Sequence, residues 1–219
     1  MYPFIAWVNK MKILLLGATG LVGSHVLSLA LADSRVTQVI APTRYALAEH
    51  EKLQAPIVDF NHLPDDAALW EVDAVICALG STLKAAGSKA AFRLVDYTYP
   101  LTCAQLAKKW HCPTFVLTSA LGSNAKSPFF YSRVKGQLEQ DLMSLGFDSL
   151  TLVRPNVISG DRQKVRLGEV VVIRIISCLS SILPASCQVS PATNIAKALF
   201  EAAINPTKGV HVISSKQLI

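Results

Sequence analysis

The sequence predicts a single α/β domain, a doubly wound parallel β-sheet with helices on both faces and a small C-terminal cap. Short apolar segments with strand character alternate with longer segments of helical length over most of the 219 residues. The strand segments are continuously apolar rather than alternating, as expected for strands that are buried on both faces. A chain of this length can build one sizeable core, so one domain is the simplest arrangement.

The predicted elements follow one another in a regular strand–helix order. The strands are expected near residues 12–16, 37–41, 56–59, 73–78, 113–118, 149–153 and 209–213. The helices are expected near residues 21–33, 63–70, 88–110, 129–145, 166–182 and 192–204. This order is typical of parallel sheets with helical crossovers. We expect residues 1–10 to be an N-terminal extension, residues 11–219 to form the domain, and residues from about 156 to 219 to form the cap.

The first predicted strand leads into a glycine turn, and a helix follows directly. The turn reads Gly17-Ala18-Thr19-Gly20-Leu21-Val22-Gly23. Glycine at Gly17 permits the tight turn, at Gly20 it lets a phosphate approach the backbone, and at Gly23 it allows the helix to pack closely. This arrangement is typical of the Rossmann fold, with a dinucleotide pyrophosphate at the positive end of the helix. The expected contacts are Gly17, Thr19, Gly20, Leu21, Val22 and Gly23.

A second motif, Tyr131-Ser132-Arg133-Val134-Lys135, places a phenol and an ammonium four residues apart. On a helix this spacing puts both side chains on one face. Pro128 and Gly146 indicate the start and the end of that helix. A cation one turn away lowers the pKa of a tyrosine, which helps the phenol to exchange a proton at neutral pH. Downstream of a nucleotide-binding turn, the motif predicts a catalytic pair.

The predicted strand before this helix ends in a run of hydroxyl side chains. Ligands of open parallel sheets lie beyond the carboxyl ends of the strands, where a hydroxyl can donate to a substrate carbonyl oxygen. We choose Ser119 for this role, with Thr118 and Ser123 as alternatives. Ser123 is equally compatible with a hydroxyl that closes a turn.

Together these motifs resemble the short-chain dehydrogenase/reductase superfamily. The resemblance is greatest to its atypical branch of small NADP-binding proteins, the Tat-interacting-protein oxidoreductases and their bacterial relatives, and extends to small NAD-dependent epimerase/dehydratase-type proteins. The matching segments are residues 17–23, residues 77–82, Ser119, the Tyr131/Lys135 pair and residues 154–156.

The resemblance implies a role for each of three residues. Tyr131 would be the acid/base, Lys135 would bind the nicotinamide ribose and tune the phenol, and Ser119 would orient the carbonyl. Many relatives carry a fourth catalytic group, an asparagine, on the helix before the serine strand. Asp96 stands near that position here, and a carboxylate is not equivalent to an amide.

The segment after the second predicted strand, Pro42-Thr43-Arg44, indicates which cofactor is bound. Sites that prefer NAD usually place a carboxylate here, which accepts hydrogen bonds from the adenine-ribose hydroxyls. The next acid along the chain is only Glu49. Arg44 instead offers a planar guanidinium suited to a 2′-phosphate. NADP(H) is therefore favoured over NAD(H).

Further cofactor contacts are expected where the third, fourth and sixth predicted strands end. In similar proteins these positions flank the adenine, pass beneath the cofactor, or lead toward the substrate pocket. The residues are Asp59, Phe60, Leu79, Gly80, Ser81, Arg154 and Pro155.

Composition limits the partners and the cellular location. The net charge is +6, but the basic residues are scattered, and the dense cluster at 162–166 has no nucleic-acid-binding motif beside it. That cluster is compatible with a solvated loop, a substrate phosphate or an acidic surface, and we expect no nucleic-acid partner. Five cysteines without a C-x-x-C pair and five unclustered histidines predict reduced thiols, no metal site and a cytoplasmic protein.

Two segments allow more than one interpretation. Residues 1–10 lack the basic and apolar regions of a signal peptide, and Met11 is an alternative start to Met1. The apolar segment 169–183 is compatible with a helix packed over the sheet or pocket, a homodimer contact or a membrane-surface helix. Its short length and Arg174 argue against a membrane span.

The sequence therefore predicts an NADP(H)-dependent oxidoreductase. It would transfer hydride between nicotinamide and the carbonyl or alcohol carbon of a small-molecule substrate, and epimerase or dehydratase chemistry uses the same machinery. The alternative is a non-catalytic NADP(H)-binding regulatory or redox-sensing protein. The presence of both Tyr131 and Lys135 in register favours the enzyme.

Overall fold

The computed structural model describes residues 10–159 and 189–219. The strands are β1 (Met11–Leu16), β2 (Val36–Ile40), β3 (Leu53–Gln54), β4 (Ala74–Cys77), β5 (Thr114–Thr118), β6 (Ser149–Arg154), β7 (Ile158–Ser159), β8 (Ser190–Pro191) and β9 (Gly209–Ser214). The helices are α1 (Leu21–Ala32), α2 (Ala67–Trp70), α3 (Leu83–Ala86), α4 (Lys89–Arg93), α5 (Tyr99–Lys109), α6 (Phe130–Ser144) and α7 (Ala192–Ile204). A π-helical turn (Leu94–Thr98) joins α4 to α5, and a 3-10 turn (Ser215–Leu218) follows β9.

Seven of the described strands form one parallel sheet in the order β3-β2-β1-β4-β5-β6-β9. The direction of winding reverses between β1 and β4, and open α/β sheets bind their ligands in the crevice at such a switch point. β7 and β8 pair separately, also in parallel. The predicted Rossmann-type sheet is confirmed.

The core lies on both faces of this sheet, and β1 shows how it is divided. Ile13 and Leu15 pack on one face with α1 and α7, whereas Leu14 and Leu16 pack on the other face with α5 and α6. All four side chains are completely buried. Successive side chains of a strand point to opposite faces, so a continuously apolar strand fills both cores.

The third strand differs from its prediction. Residues 56–59 were the expected strand, but β3 is Leu53–Gln54, and Ile57 forms only an isolated bridge with Thr43. The amides of β2 and its continuation are already bonded to the carbonyls of Lys52 and Gln54. Pro56 has no amide hydrogen to donate, so the regular ladder is interrupted there. Pairing resumes only at the Thr43–Ile57 bridge, where the Thr43 amide donates to the Pro56 carbonyl and the Val58 amide donates to the Thr43 carbonyl.

The predicted helices lie close to their expected positions, with two differences, and the short helix α3 is an addition that was not predicted. The single helix expected at residues 88–110 is divided into α4, the π-helical turn and α5. The helix expected at 63–70 is reduced to α2, whose first turn is capped by Asp66. The helix expected at 166–182 lies outside the described residues.

The C-terminal segment completes the main layers. α7 packs against α1, and β9 pairs with β6 from Gly209 to Ser214 as an edge strand. Of the segment predicted as a cap, residues 192–219 therefore belong to the sheet and its helical layer. The described ranges contain no helix long and apolar enough to cross a membrane.

Candidate active site

The glycine turn between β1 and α1 lies against the loop that follows β4. Gly17 has a φ of +84°, and a Cβ atom on it would lie 2.9 Å from the backbone of Ala78. A Cβ atom on Gly23 would lie 2.0 Å from the Gly17 carbonyl oxygen. Gly23 was expected to let α1 pack closely on the sheet, but its close contact is with the glycine turn itself. Thr19 and Gly20 at the tip of the turn are exposed.

The N-terminus of α1 suits a bound anion. Its N-cap is Gly20, no described side chain caps its first amides, and its first turn contains no acidic residue. The first amides of a helix lack intrahelical acceptors and stand at the positive end of its dipole. With no side chain over Gly17 or Gly20, a pyrophosphate can reach these amides, so the turn fits a dinucleotide.

The loop after β4 connects the glycine turn to Lys135. A Cβ atom on Gly80 would lie 3.7 Å from Lys135 Nζ and 3.4 Å from Asp96 Oδ1. The Ser81 amide donates to Asp96 Oδ2 over 2.8 Å. The predicted cofactor-binding loop, Leu79-Gly80-Ser81, therefore lies directly beside the predicted catalytic lysine.

The first turns of α6 lie on the loop that follows β5. A Cβ atom on Gly136 would lie 2.2 Å from the backbone of both Asn124 and Ala125. The Asn124 amide also donates to the Ser132 carbonyl over 3.1 Å. The helix that carries Tyr131 is thus held against the loop that begins with Ser119.

Ser119 is buried and held by its neighbour. Its Oγ lies 3.0 Å from Ser123 Oγ, and Ser123 Oγ donates to the Ala120 carbonyl over 2.8 Å. Since a hydroxyl has one hydrogen, Ser119 is the donor between the two serines. Ser123 therefore closes the turn and orients Ser119.

The pleat of β5 separates Ser119 from Thr118. Leu117 packs on the face covered by α5 and α6, and Val116 packs on the opposite face. By the period of two, Ser119 follows Leu117 toward α6, whereas Thr118 follows Val116. Thr118 Oγ1 is buried without a hydrogen-bond partner among the described residues. Of the two, Ser119 is on the side of Tyr131.

A buried ion pair lies at the centre of the site. Lys135 Nζ is 2.8 Å from Asp96 Oδ1, and the two side chains are only 4% and 1% exposed. Asp96 lies on the π-helical turn between α4 and α5, and such turns frequently occur at functional sites. The sequence placed Asp96 near the site, but no spacing pattern indicated that it pairs with Lys135.

The pKa of Tyr131 differs from the expectation. Burial raises the pKa of the phenol above its ordinary value, and Asp96 adds to this effect, although Lys135 opposes both. The predicted net lowering of this pKa is therefore wrong for the cofactor-free protein. The phenol ring packs on Phe92 with ring centroids 5.4 Å apart, and Phe92 is completely buried.

The two members of the ion pair also shift. Burial raises the pKa of the Asp96 carboxyl, and the charge of Lys135 only partly opposes this. Burial lowers the pKa of Lys135, but the negative charges of Asp96 and of the Tyr131 phenolate outweigh burial, so this pKa lies above its ordinary value. Lys135 is therefore a cation at neutral pH.

Two predicted cofactor residues lie on the surface turns beyond β2 and β3. The Arg44 side chain is exposed, with its guanidinium carbon 5.9 Å from the centre of the Tyr45 ring. Asp59 accepts hydrogen bonds from the Asn61 amide and side chain and contacts His62 Nδ1 over 2.9 Å. Phe60 packs on Tyr99 with ring centroids 5.5 Å apart.

Arg154 is engaged with α6. Its Nε and Nη2 donate to the two carboxylate oxygens of Glu139 over 2.9 and 2.6 Å, and these bonds raise the pKa of the guanidinium. Pro155 accepts a hydrogen bond from the Leu121 amide over 2.8 Å. Both residues connect β6 to the parts that carry Ser119 and Tyr131, a role that the sequence did not indicate.

The cysteines of the described ranges are buried free thiols. Burial raises the pKa of Cys77 to about 11 and that of Cys112 to about 12, and it raises the pKa of Cys103 as well. All three thiols are protonated at neutral pH. Within the same ranges, no group of three or more His, Cys, Asp and Glu side chains is placed to hold a metal ion.

The parallel sheet has its switch point beside a glycine turn, and the helix that follows this turn has an N-terminus open to an anion. These features define an NAD(P)H-binding Rossmann domain. Comparison with known proteins agrees with this class. Residues 17–170 match the family described as NAD(P)H-binding. The chain belongs to this family and is an atypical protein of the short-chain dehydrogenase/reductase type.

Two relatives illustrate the similarity. The protein HTATIP2 of Rattus norvegicus is 31% identical over 217 residues, which cover 96% of this chain and 88% of the relative. The mitochondrial protein FMP52 of Candida albicans is 31% identical over 163 residues, which cover 70% of each chain. The predicted resemblance to the Tat-interacting-protein branch is confirmed.

Solved structures with the same fold include proteins with bound sugar nucleotides. MoeE5, solved with UDP-glucose and NAD, aligns with a TM-score of 0.72 and 16% identity, over 93% of this chain and 75% of that chain. The UDP-N-acetylglucosamine 4-epimerase of Methanobrevibacter ruminantium aligns with a TM-score of 0.71 and 17% identity, over 94% and 76%. At these identities the likeness concerns the fold alone.

The predicted cytoplasmic location is contradicted by these comparisons. FMP52 proteins of Candida albicans, Meyerozyma guilliermondii and Debaryomyces hansenii, each at least 31% identical to this chain, are named as mitochondrial. The composition on which the prediction depended indicates reduced thiols but does not distinguish between reducing compartments.

Proposed function

We propose that this protein is an NADP(H)-dependent oxidoreductase that reduces the carbonyl group of a small-molecule substrate. The observation that carries the proposal is a continuous series of contacts. The glycine turn touches the loop after β4, Gly80 of that loop borders Lys135, and α6 rests on the loop that begins with Ser119. Residues distant in sequence therefore border one another at the carboxyl edge of the sheet, where Rossmann proteins bind their ligands.

The residues that would hold the cofactor follow from their positions. The amides at Gly20 and Leu21 would receive the pyrophosphate, Arg44 the 2′-phosphate, and Lys135 the hydroxyls of the nicotinamide ribose. An exposed guanidinium after β2, in a segment whose next acidic residue is Glu49, supports NADP(H) over NAD(H).

When bound, the nicotinamide supplies a hydride to the carbonyl carbon. Ser119, which can turn its hydroxyl away from Ser123, would donate a hydrogen bond to the carbonyl oxygen. Tyr131 would transfer its phenolic proton to that oxygen as the carbon–oxygen double bond becomes a single bond. The resulting phenolate would regain a proton from solvent, so one hydride and one proton are consumed for each alcohol formed.

The protonation state of Tyr131 supports the reductive direction. Its pKa lies above the ordinary value, so the phenol carries its proton at neutral pH. A protonated phenol is ready to act as an acid, whereas the oxidation of an alcohol would require the phenolate first.

The test is the substitution Tyr131→Phe, which removes the proton and leaves the ring against Phe92. A panel of aldehydes and ketones is screened by the loss of NADPH absorbance. For each compound that is a substrate of the wild type, we expect kcat of the variant to be at least about 100-fold lower. We expect its NADPH affinity to stay within about threefold of wild type.

Tyr97→Phe is the matched control. Its hydroxyl donates to Asp141 Oδ2 over 2.6 Å, between the π-helical turn and α6, and the loss of this bond should leave kcat unchanged. Equal kcat in Tyr131→Phe and wild type would contradict the proton-transfer role. Saturable NADPH binding with no turnover of any compound in the panel would favour the alternative predicted from the sequence, a non-catalytic NADP(H)-binding regulator.

A further inference from the structure

Asp96 is a buried acid that the proposed reaction does not use. One carboxylate oxygen lies 2.8 Å from Lys135 Nζ, and the other accepts a hydrogen bond of 2.8 Å from the Ser81 amide. The side chain is 1% exposed. A carboxylate so completely removed from water is costly to bury unless its partners are well placed.

The position of Asp96 connects two parts of the site. Lys135 lies on α6, and Ser81 lies on the loop after β4, at the carboxyl edge of the sheet. Gly80, between Ser81 and β4, lies close to both charged groups, because a Cβ atom there would stand 3.4 Å from Asp96 Oδ1 and 3.7 Å from Lys135 Nζ. One carboxylate therefore fixes the lysine relative to this loop.

We propose that Asp96 is a positioning residue that holds the Lys135 ammonium charged and beside Gly80, and thereby prepares it for the nicotinamide ribose; this inference rests on the proposed function. An ammonium has three N–H donors, and Asp96 accepts from one of them. The others remain for the ribose hydroxyls. Asp96 therefore acts on the lysine directly by charge.

The charges around Lys135 give the proposal its direction. Among the described residues, the titratable groups that act on its ammonium are Asp96 on the π-helical turn, Tyr131 on α6 and Cys77 at the end of β4. The Cys77 thiol and the Tyr131 phenol are neutral at pH 7 because burial raises the pKa of each. Asp96 is therefore the one negative charge among these groups. Without it, burial would disfavour the ammonium and Lys135 would lose its proton more easily.

The first experiment follows Lys135 itself in cofactor-free protein. Protein with ¹³C-labelled lysine is titrated by NMR, and the Lys135 Cε signal is assigned by its loss in Lys135→Arg. We expect the wild-type signal to titrate above the ordinary lysine range, and Asp96→Asn to lower its midpoint by at least about one pH unit.

Asp141→Asn is the matched control. Like Asp96→Asn, it replaces a carboxylate with an amide. Asp141 on α6 bonds Tyr97 on the π-helical turn, so the substitution alters another contact between the two segments that carry Lys135 and Asp96. It should leave the midpoint of Lys135 unchanged. A midpoint that is equal in Asp96→Asn and wild type overturns the proposal. If Asp96→Asn does not fold, the wild-type titration decides, since a midpoint at or below the ordinary value overturns the proposal as well.

The second experiment measures NADPH affinity against pH by fluorescence. Wild type and Asp141→Asn should bind NADPH equally from about pH 6.5 to about pH 9.5, since Lys135 stays charged. Asp96→Asn should bind like wild type at the low end and lose at least about twofold in affinity at the high end, where a midpoint lowered by about one pH unit leaves Lys135 about half charged. A loss of NADPH affinity in Asp96→Asn that is the same at every pH would mean that Asp96 has a merely structural role and would overturn the proposal. Failure of wild type to bind NADPH, with the NMR shift as expected, would contradict the proposed function and leave the charge-holding role of Asp96 supported.

Discussion

Lys135 is the residue on which the other groups of the site depend. Its charge is compensated by Asp96 in the cofactor-free protein, and burial then keeps the Tyr131 phenol protonated. Two roles of the lysine cation are thereby separated, namely cofactor binding and lowering the pKa of the tyrosine. In the proposed reaction, Lys135 is held charged for binding the cofactor, while Tyr131 is held as an acid for proton transfer.

Arg44 is the residue that should set the cofactor preference. Arg44→Ala removes the guanidinium proposed to receive the 2′-phosphate, which NADPH carries and NADH lacks. We expect the affinity for NADPH to fall at least about tenfold while that for NADH changes less than about twofold. Both affinities are measured by fluorescence titration.

Lys208→Ala is the control for this substitution. It removes one positive charge from an exposed side chain before β9, at the opposite edge of the sheet, and should leave both affinities unchanged. Equal losses of NADPH and NADH affinity in Arg44→Ala would show that Arg44 does not contact the 2′-phosphate.

Among the elements, α6 connects most parts of the site. It carries Tyr131 and Lys135, pairs through Glu139 with Arg154 at the end of β6, and rests at Gly136 on the loop after β5. The pair of Arg154 with Glu139 is bidentate, a geometry that fixes orientation as well as distance. α6 is therefore held on several sides, and its register determines where the phenol stands.

Gly136 is where α6 approaches the neighbouring loop most closely. A methyl group there would meet the backbone of Asn124 and Ala125 at 2.2 Å, and backbone cannot move aside as a flexible side chain can. Gly136→Ala should lower the free energy of unfolding by about 1–3 kcal/mol. It should also reduce kcat, because the helix and the serine loop are forced apart. Thermal unfolding and turnover are measured on the same preparation.

Ser144→Ala, in the exposed last turn of α6, is the control and should change stability by no more than about 0.5 kcal/mol. Wild-type stability and turnover in Gly136→Ala would mean that α6 does not rest on this loop in solution.

On the scale of the whole molecule, the parallel sheet and the glycine turn could be predicted from the sequence because each depends on local signals. Continuous apolar runs identified the strands, and the spacing of Gly17, Gly20 and Gly23 identified the turn. The position of β3 could not be predicted, because Leu53–Gln54 is too short to show an apolar run, whereas the apolar run at residues 56–59 forms only the bridge of Ile57 with Thr43.

The pairing partners in the site were equally beyond sequence pattern. Asp96 and Lys135 are brought together only by the packing of α6 on the π-helical turn. Arg154 resembled a cofactor residue by its place after β6, but its guanidinium is taken by Glu139 from a different element. Such contacts depend on how helices pack on the sheet, and no local spacing encodes that.

The central claim is that the carboxyl edge of this sheet binds NADP(H), and parallel fluorescence titrations of the purified protein with NADPH and NADH test it most directly. We predict saturable binding of both, with NADPH bound at least about tenfold more tightly because the 2′-phosphate reaches Arg44. Tighter binding of NADH, or no saturable binding of either nucleotide, would contradict the account.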